Sequence, residues 1–169
     1  DWRRNNVNQL VTELHNAIKD RKPYVQFGIS PFGVWRNASV DPTGSDTKGG
    51  QTTYDSLYAA TRQWLKNGTV DYLTPQIYWS REHKLANFTT LLDWWDQEIA
   101  NYSLAHPVNL YIGIADYKLN NDSDAAWKSS QELLGQIADI RQKDNVSGQM
   151  HFSYRSIIGN TLEYMSQLV

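Results

Sequence analysis

The chain has no cysteine, which excludes a disulfide framework, a thiolate metal site and a thiol nucleophile together. No apolar run approaches the roughly 20 residues that cross a bilayer, so no membrane span is expected within it. Neither sign of charge dominates. A formal net charge of -2, a pI near 6.1 and the lack of a long basic run give no sequence-wide attraction to nucleic acid or to an anionic membrane. Gly28 and Gly33 form no phosphate-binding fingerprint, and Gly44, Gly49 and Gly50 are not followed by Lys-Ser/Thr, so no nucleotide cofactor is expected. His15, His83, His106 and His151 lack metal-ligand spacing, and no Gly-x-Ser-x-Gly elbow occurs. No cofactor and no metal are expected.

What the chain does have is aromatic side chains, seven Trp and ten Tyr in 169 residues. Some must fill the core, but Trp and Tyr are also the side chains that stack on sugar rings or bases. The length suits a single domain over residues 1–169.

Val7, Leu10, Val11, Leu14 and Ile18 recur at helical spacing, and Lys19 to Pro23 ends that first helix. Tyr24 to Ser30 reads as a strand, followed by a Gly-, Ser- and Pro-rich stretch from Pro31 to about Gln51 that is long enough to be a binding loop. Thr52 or Thr53 begins a second helix that Asn67-Gly68 ends. The stretch Val70 to Ser80 runs as the next strand, short and apolar before it breaks into polar and aromatic residues at its carboxyl side. Phe88, Leu91, Leu92, Trp95 and Ile99 mark a third helix that stops before Pro107, and Val108 to Ala115 is a third strand. A fourth helix starts at Ser123 or Asp124, Val146 to Phe152 is a fourth strand, and Ile158, Leu162, Met165 and Leu168 predict a last helix. Four strand-helix units in succession imply an α/β fold with a parallel sheet. Periodicity leaves open whether that sheet is an open flavodoxin-like one or a piece of a barrel.

All four strands end in polar or aromatic residues: Ser30 to Arg36, Gln76 to Arg81, Asp116 to Lys118, and Ser153 to Arg155. In parallel α/β proteins ligands bind at the carboxyl ends of strands. Trp35 and Trp79, each following a strand, are candidates for a stacking platform. Glycosidic cleavage needs a pair of carboxyl groups facing each other across the bond. Asp116, directly at a strand end, and Glu82, a few residues past one, are the candidates. Asp71, at the start of its strand, reads as structural.

The runs Phe27-Gly28-Ile29-Ser30-Pro31-Phe32-Gly33-Val34-Trp35-Arg36-Asn37, Tyr54-Asp55-Ser56-Leu57-Tyr58-Ala59, Val70 to Trp79 and Leu110-Tyr111-Ile112-Gly113, with Trp94-Trp95, Trp127 and Phe152-Ser153, resemble the glycosyl-hydrolase-like 10 family. The resemblance implies a (β/α)8 TIM barrel of which this chain matches the C-terminal half, strands five to eight. It further implies activity on glycosidic bonds, plausibly in bacterial cell-wall polysaccharide, in an extracellular or cell-surface protein that is often a lipoprotein. The family's Asp-rich strand-four segment has no counterpart here, so the chain is expected to be a fragment lacking part of the active site. By position, Trp35, Arg36, Gln76, Tyr78, Trp79, Tyr117 and Arg155 would bind carbohydrate, and Asp116 would carry any acid or base role. A half barrel has two open edges, from which a homodimer is expected. The alternative function is a non-catalytic carbohydrate-binding module.

Overall fold

The computed structural model describes residues 1–102 and 106–168. Helix α1 (Trp2–Arg21) opens the chain and is pinned where Asn8 Oδ1 accepts from the Trp64 indole N–H at 2.8 Å. Only Val11 of its apolar stripe is buried, while Leu10 and Leu14 stay exposed because no described element lies over them. Four parallel strands follow: β1 (Gly28–Ile29), β2 (Tyr72–Leu73), β3 (Asn109–Ile114) and β4 (Gly148–His151), in the spatial order β1-β2-β3-β4. The regular ladders are short. Backbone bonds such as Gln76 N–H to Pro31 O and Ile77 N–H to Gly113 O carry the pairing through Phe32, Gln76 and Gly113, near the ends the sequence predicts.

The crossovers hold α2 (Thr53–Ser56) and α3 (Thr61–Asn67), then α4 (Phe88–Tyr102), then α5 (Gln131–Ile140), with α6 (Tyr154–Ile158) after β4. Consecutive helices touch, α1 on α3, α3 on α4 and α4 on α5, so they cover one side of the sheet. A doubly wound sheet would reverse its strand order at a switch point and carry helices on both faces. Sequential order with helices on one face is instead compatible with half of a (β/α)8 barrel, which sets aside the flavodoxin-like alternative.

Alternation along the strands divides the side chains between two faces. Leu73, Leu110, Ile112 and Ile114 point to the helices and are fully buried against Phe88, Leu91, Leu92, Trp95, Leu133 and Ile137. Each such side chain contributes roughly 1.5–3 kcal/mol by leaving water. The opposite face carries Tyr72, Tyr111 and Met150, which are only partly covered. Edges β1 and β4 each lack a partner among the described residues.

Two predicted helices are interrupted. The one expected from Thr52 to Asn67 breaks at Tyr58, which has φ of 56° and whose hydroxyl accepts from Arg3 Nη1 at 2.7 Å. The last one ends at Gly159-Asn160, where the Asn160 side chain accepts from the Met165 N–H, and continues as two 3-10 turns, Thr161–Glu163 and Met165–Gln167. The expected fourth helix starts with a separate 3-10 turn (Ala125–Lys128) that Asp124 caps by accepting from the Ala126 N–H at 3.0 Å. The segment where α4 was expected to stop before Pro107 includes residues 103–105, outside the described residues.

Candidate functional site at the strand ends

Asp71, at the amino end of β2, is structural as its position suggests. It accepts the Phe27 N–H at 2.6 Å and pairs with Lys19 at 2.7 Å. Burial alone would raise its pKa, but the Lys19 and Phe27 bonds outweigh that and hold it below the ordinary aspartate value. Beside the same end, Leu14, Ala17, Ile18, Arg21, Lys22 and Val25 line an apolar groove of about 490 Å³. It lies at the α1 C-terminus, away from the strand carboxyl ends where (β/α)8 proteins do chemistry.

At those carboxyl ends the predicted residues divide. Trp35 is only 5% exposed: its ring stacks on Trp94 at 5.8 Å and 14°, and Arg62 lies 3.8 Å from its centroid on the way to an ion pair with Glu98. It is scaffold, not an open stacking platform. Arg36 is engaged as well, with Asp55 at 2.9 Å and Asp41 at 3.1 Å, and its pKa is raised chiefly by Asp55. Arg155 is exposed on α6 and forms no ion pair among the described residues.

Gln76, Tyr78 and Trp79 do converge. With Phe32 they line a cavity of about 180 Å³ directly above the sheet. Gln76 donates both to Ser30 O at 3.0 Å and to Ser30 Oγ at 3.2 Å, which fixes its amide and directs the carbonyl oxygen elsewhere. Gly33 sits under Trp79, and a Cβ there would strike the Gln76 carbonyl, so only glycine lets the two loops approach this closely. On the other side of Tyr78 are Tyr117, in the 3-10 turn Asp116–Lys118, and Phe152, just past β4. Tyr78 and Phe152 are near-parallel at 6.0 Å, and Tyr117 stands at 78° to Tyr78 and 87° to Phe152. Tyr117 is 41% exposed and Phe152 55% exposed. The Tyr78 hydroxyl has a raised pKa, from burial first and then from Tyr117 and Asp116, and so stays a neutral donor and acceptor.

Asp116 does not face this aromatic surface as an open carboxylate. It is 3% exposed and meets His151 Nδ1 at 2.8 Å. His151 pairs in register with buried Ile114, which puts it on the helix-facing side of β4. Tyr164, from the C-terminal turns, covers the pair; its hydroxyl and Asp116 Oδ2 are both buried without a hydrogen-bond partner. Burial and the nearby Asp116 charge push the Tyr164 pKa up. Glu82 is elsewhere, exposed on the loop after β2, where it lines a cleft of about 500 Å³ with His83, Lys84, Leu85 and Asp124.

The loops that carry the site are tied together. Ser80 Oγ donates to Asp124 Oδ2 at 2.6 Å, Gln136 Nε2 to Trp79 O at 3.1 Å, and the Trp95 indole to Gly33 O at 2.7 Å. Such support holds side chains in one geometry without ligand. Sequence reasoning missed Phe32, Phe152, His151 and Tyr164 as neighbours of the site. Phe152 was within reach, because it continues the period-two face of Gly148 and Met150 past the strand end.

The glycosyl hydrolase-like 10 family model matches residues 1–129. Glycosyl hydrolase YngK of Bacillus subtilis (strain 168) is 53% identical over 162 residues, which cover 96% of this chain and 31% of that protein. Glycosyl hydrolase DigH of Escherichia coli (strain K12) is 48% identical over 123 residues, 73% of this chain and 27% of that protein. This chain thus spans about a third of the length of these curated relatives. With an α/β half-barrel sheet, a polar and aromatic surface at its strand ends and these matches, the chain belongs to the glycosyl hydrolase-like 10 family.

Proposed function

We propose that the chain is part of a glycoside hydrolase that acts on bacterial cell-wall or related polysaccharide, outside the cell or at its surface, and that it supplies mainly the surface that holds the glycan. The observation that carries this reading is the cavity of Phe32, Gln76, Tyr78 and Trp79 at the carboxyl ends of parallel strands, in a member of a glycosyl hydrolase-like family. Cleavage by the usual route needs two carboxyl groups roughly 5–10 Å apart across the bond. Asp116 is buried on His151 and Glu82 lines a different cleft, so the working pair requires a carboxylate from strand-helix units beyond this chain.

The open edges fit the same reading. In the longer protein, β1 and β4 would pair with the missing strands; in the isolated chain, the exposed edges favour a homodimer. Light scattering after size exclusion is expected to give a dimer mass for this chain and a monomer mass for one extended upstream, and a monomeric short chain would overturn the edge argument.

Incubation with cell-wall glycans followed by mass spectrometry of released sugars tests the activity. Only the extended chain is expected to release products. Release by this chain alone would return Asp116 and Glu82 to the catalytic role, and binding without release by either would favour a carbohydrate-binding module, a reading to which the aromatic surface without a facing carboxylate pair lends weight.

A further inference from the structure

Tyr78 borders two differently built places. On one side is the cavity shared with Phe32, Gln76 and Trp79. On the other is the right-angled corner formed with Tyr117 and Phe152. The cavity, at about 180 Å³, is small. A cavity of about 150 Å³ is enough for one six-membered ring, and sites for larger ligands run to roughly 300 Å³ and above. That is a size for one ring and not for two, so a second sugar joined to one bound there would lie outside.

The corner is the surface next to it across Tyr78, and its rings are accessible: Tyr117 is 41% exposed and Phe152 55% exposed. It also lies beyond the ladder, since Tyr117 follows β3 and Phe152 follows the last residue of β4. Strands added beside β1 or β4 would leave it at the mouth of a barrel, not inside its packed interior.

Resting on the glycan reading above, we propose that the site takes a glycan chain across Tyr78, one pyranose in the cavity and the next against Tyr117 and Phe152, so that its smallest good ligand is a disaccharide. Gln76 fixes the first sugar through its free carbonyl oxygen, because its amide N–H groups are already given to Ser30. Phe152 offers no polar atom and binds the second sugar through its ring face alone, against the C–H groups of the pyranose. Tyr78 serves both positions, with a hydroxyl that stays protonated.

Calorimetric titration with the monosaccharide, disaccharide and tetrasaccharide of the cell-wall glycan repeat tests this, using the full chain and its Phe152→Ala, Phe152→Trp and Gln76→Ala variants. Expected is a disaccharide affinity well above that of the monosaccharide, lost by roughly tenfold in Phe152→Ala, as for removal of one stacking ring, and restored in Phe152→Trp. Monosaccharide binding is expected to be unchanged in Phe152→Ala and weakened in Gln76→Ala. Equal affinities for mono- and disaccharide would overturn the two-position site while leaving the glycan reading intact, as would an equal loss of both ligands in Phe152→Ala. Failure of the unaltered protein to bind any of the three would overturn the glycan reading and this inference with it.

Discussion

The rim after β1 and the rim after β2 to β4 are built from the same kinds of residue and end in opposite states. After β1, Trp35 and Arg36 are absorbed: the indole lies between Trp94 and Arg62, and the guanidinium is held by Asp55 and Asp41. Beyond β2 to β4, Tyr78, Tyr117 and Phe152 touch one another; Tyr78 also packs against the core, while Tyr117 and Phe152 stay exposed. The difference lies in the partners. Helix α4 brings Trp94 and Glu98 to the first rim, and the 31–51 loop brings Thr43, which accepts from both Arg62 and the Trp94 indole. Nothing described comes to cover the second. An aromatic residue at a strand end is a candidate for binding only where no later element claims it.

This contrast can be broken or sharpened by substitution. The largest effect is expected from Trp35→Ala, which removes a buried ring and should destabilise the chain by about 3–5 kcal/mol in denaturant unfolding; a loss under about 1 kcal/mol would mean that Trp35 is not scaffold. Next comes Glu98→Ala, which leaves the Arg62 guanidinium with no carboxylate in a largely buried place and should cost about 3 kcal/mol. Burial already raises the Glu98 pKa, with Arg62 opposing that rise, so its replacement by Gln should cost less than its replacement by Ala.

Asp71→Asn is expected to cost about 1 kcal/mol at pH 7, since its partner Lys19 is partly solvated. The native pKa of Asp71 is lowered, so its contribution is complete above the unfolded value near 3.9 and fades as pH falls through the lower native value. Unfolding curves of the two proteins should therefore converge in strong acid; a gap that persisted there would exclude the ion pair as its source. Phe152→Ala, on the exposed rim, is expected to change stability by no more than about 0.5 kcal/mol in the same assay. A loss matching that of Trp35→Ala would erase the distinction between the rims.

The order of elements was readable because each helix and strand repeats its apolar residues at its own period. Apolar spacing did not show that the second helix breaks at Tyr58, where φ is 56° and the hydroxyl meets Arg3 from far away in the chain. The stop at Gly159-Asn160 was legible in principle, being the same pair of residue types that ends α3 at Asn67-Gly68. At the rim, strand-end position brings Gln76, Tyr78, Trp79 and Tyr117 near one another. It could not separate Trp35 from them, since burial there is decided by Trp94 and Arg62. Nor could it reveal that Asp116 turns to His151, because that depends on the register of β4 against β3.

The most direct test is an aromatic carbon–proton NMR spectrum of the protein recorded with and without cell-wall glycan disaccharide. The rings of Tyr78, Trp79, Tyr117 and Phe152 are expected to shift while that of Trp35 does not. Shifts centred on Trp35, or none at the four rim residues when glycan is bound, would contradict that expectation.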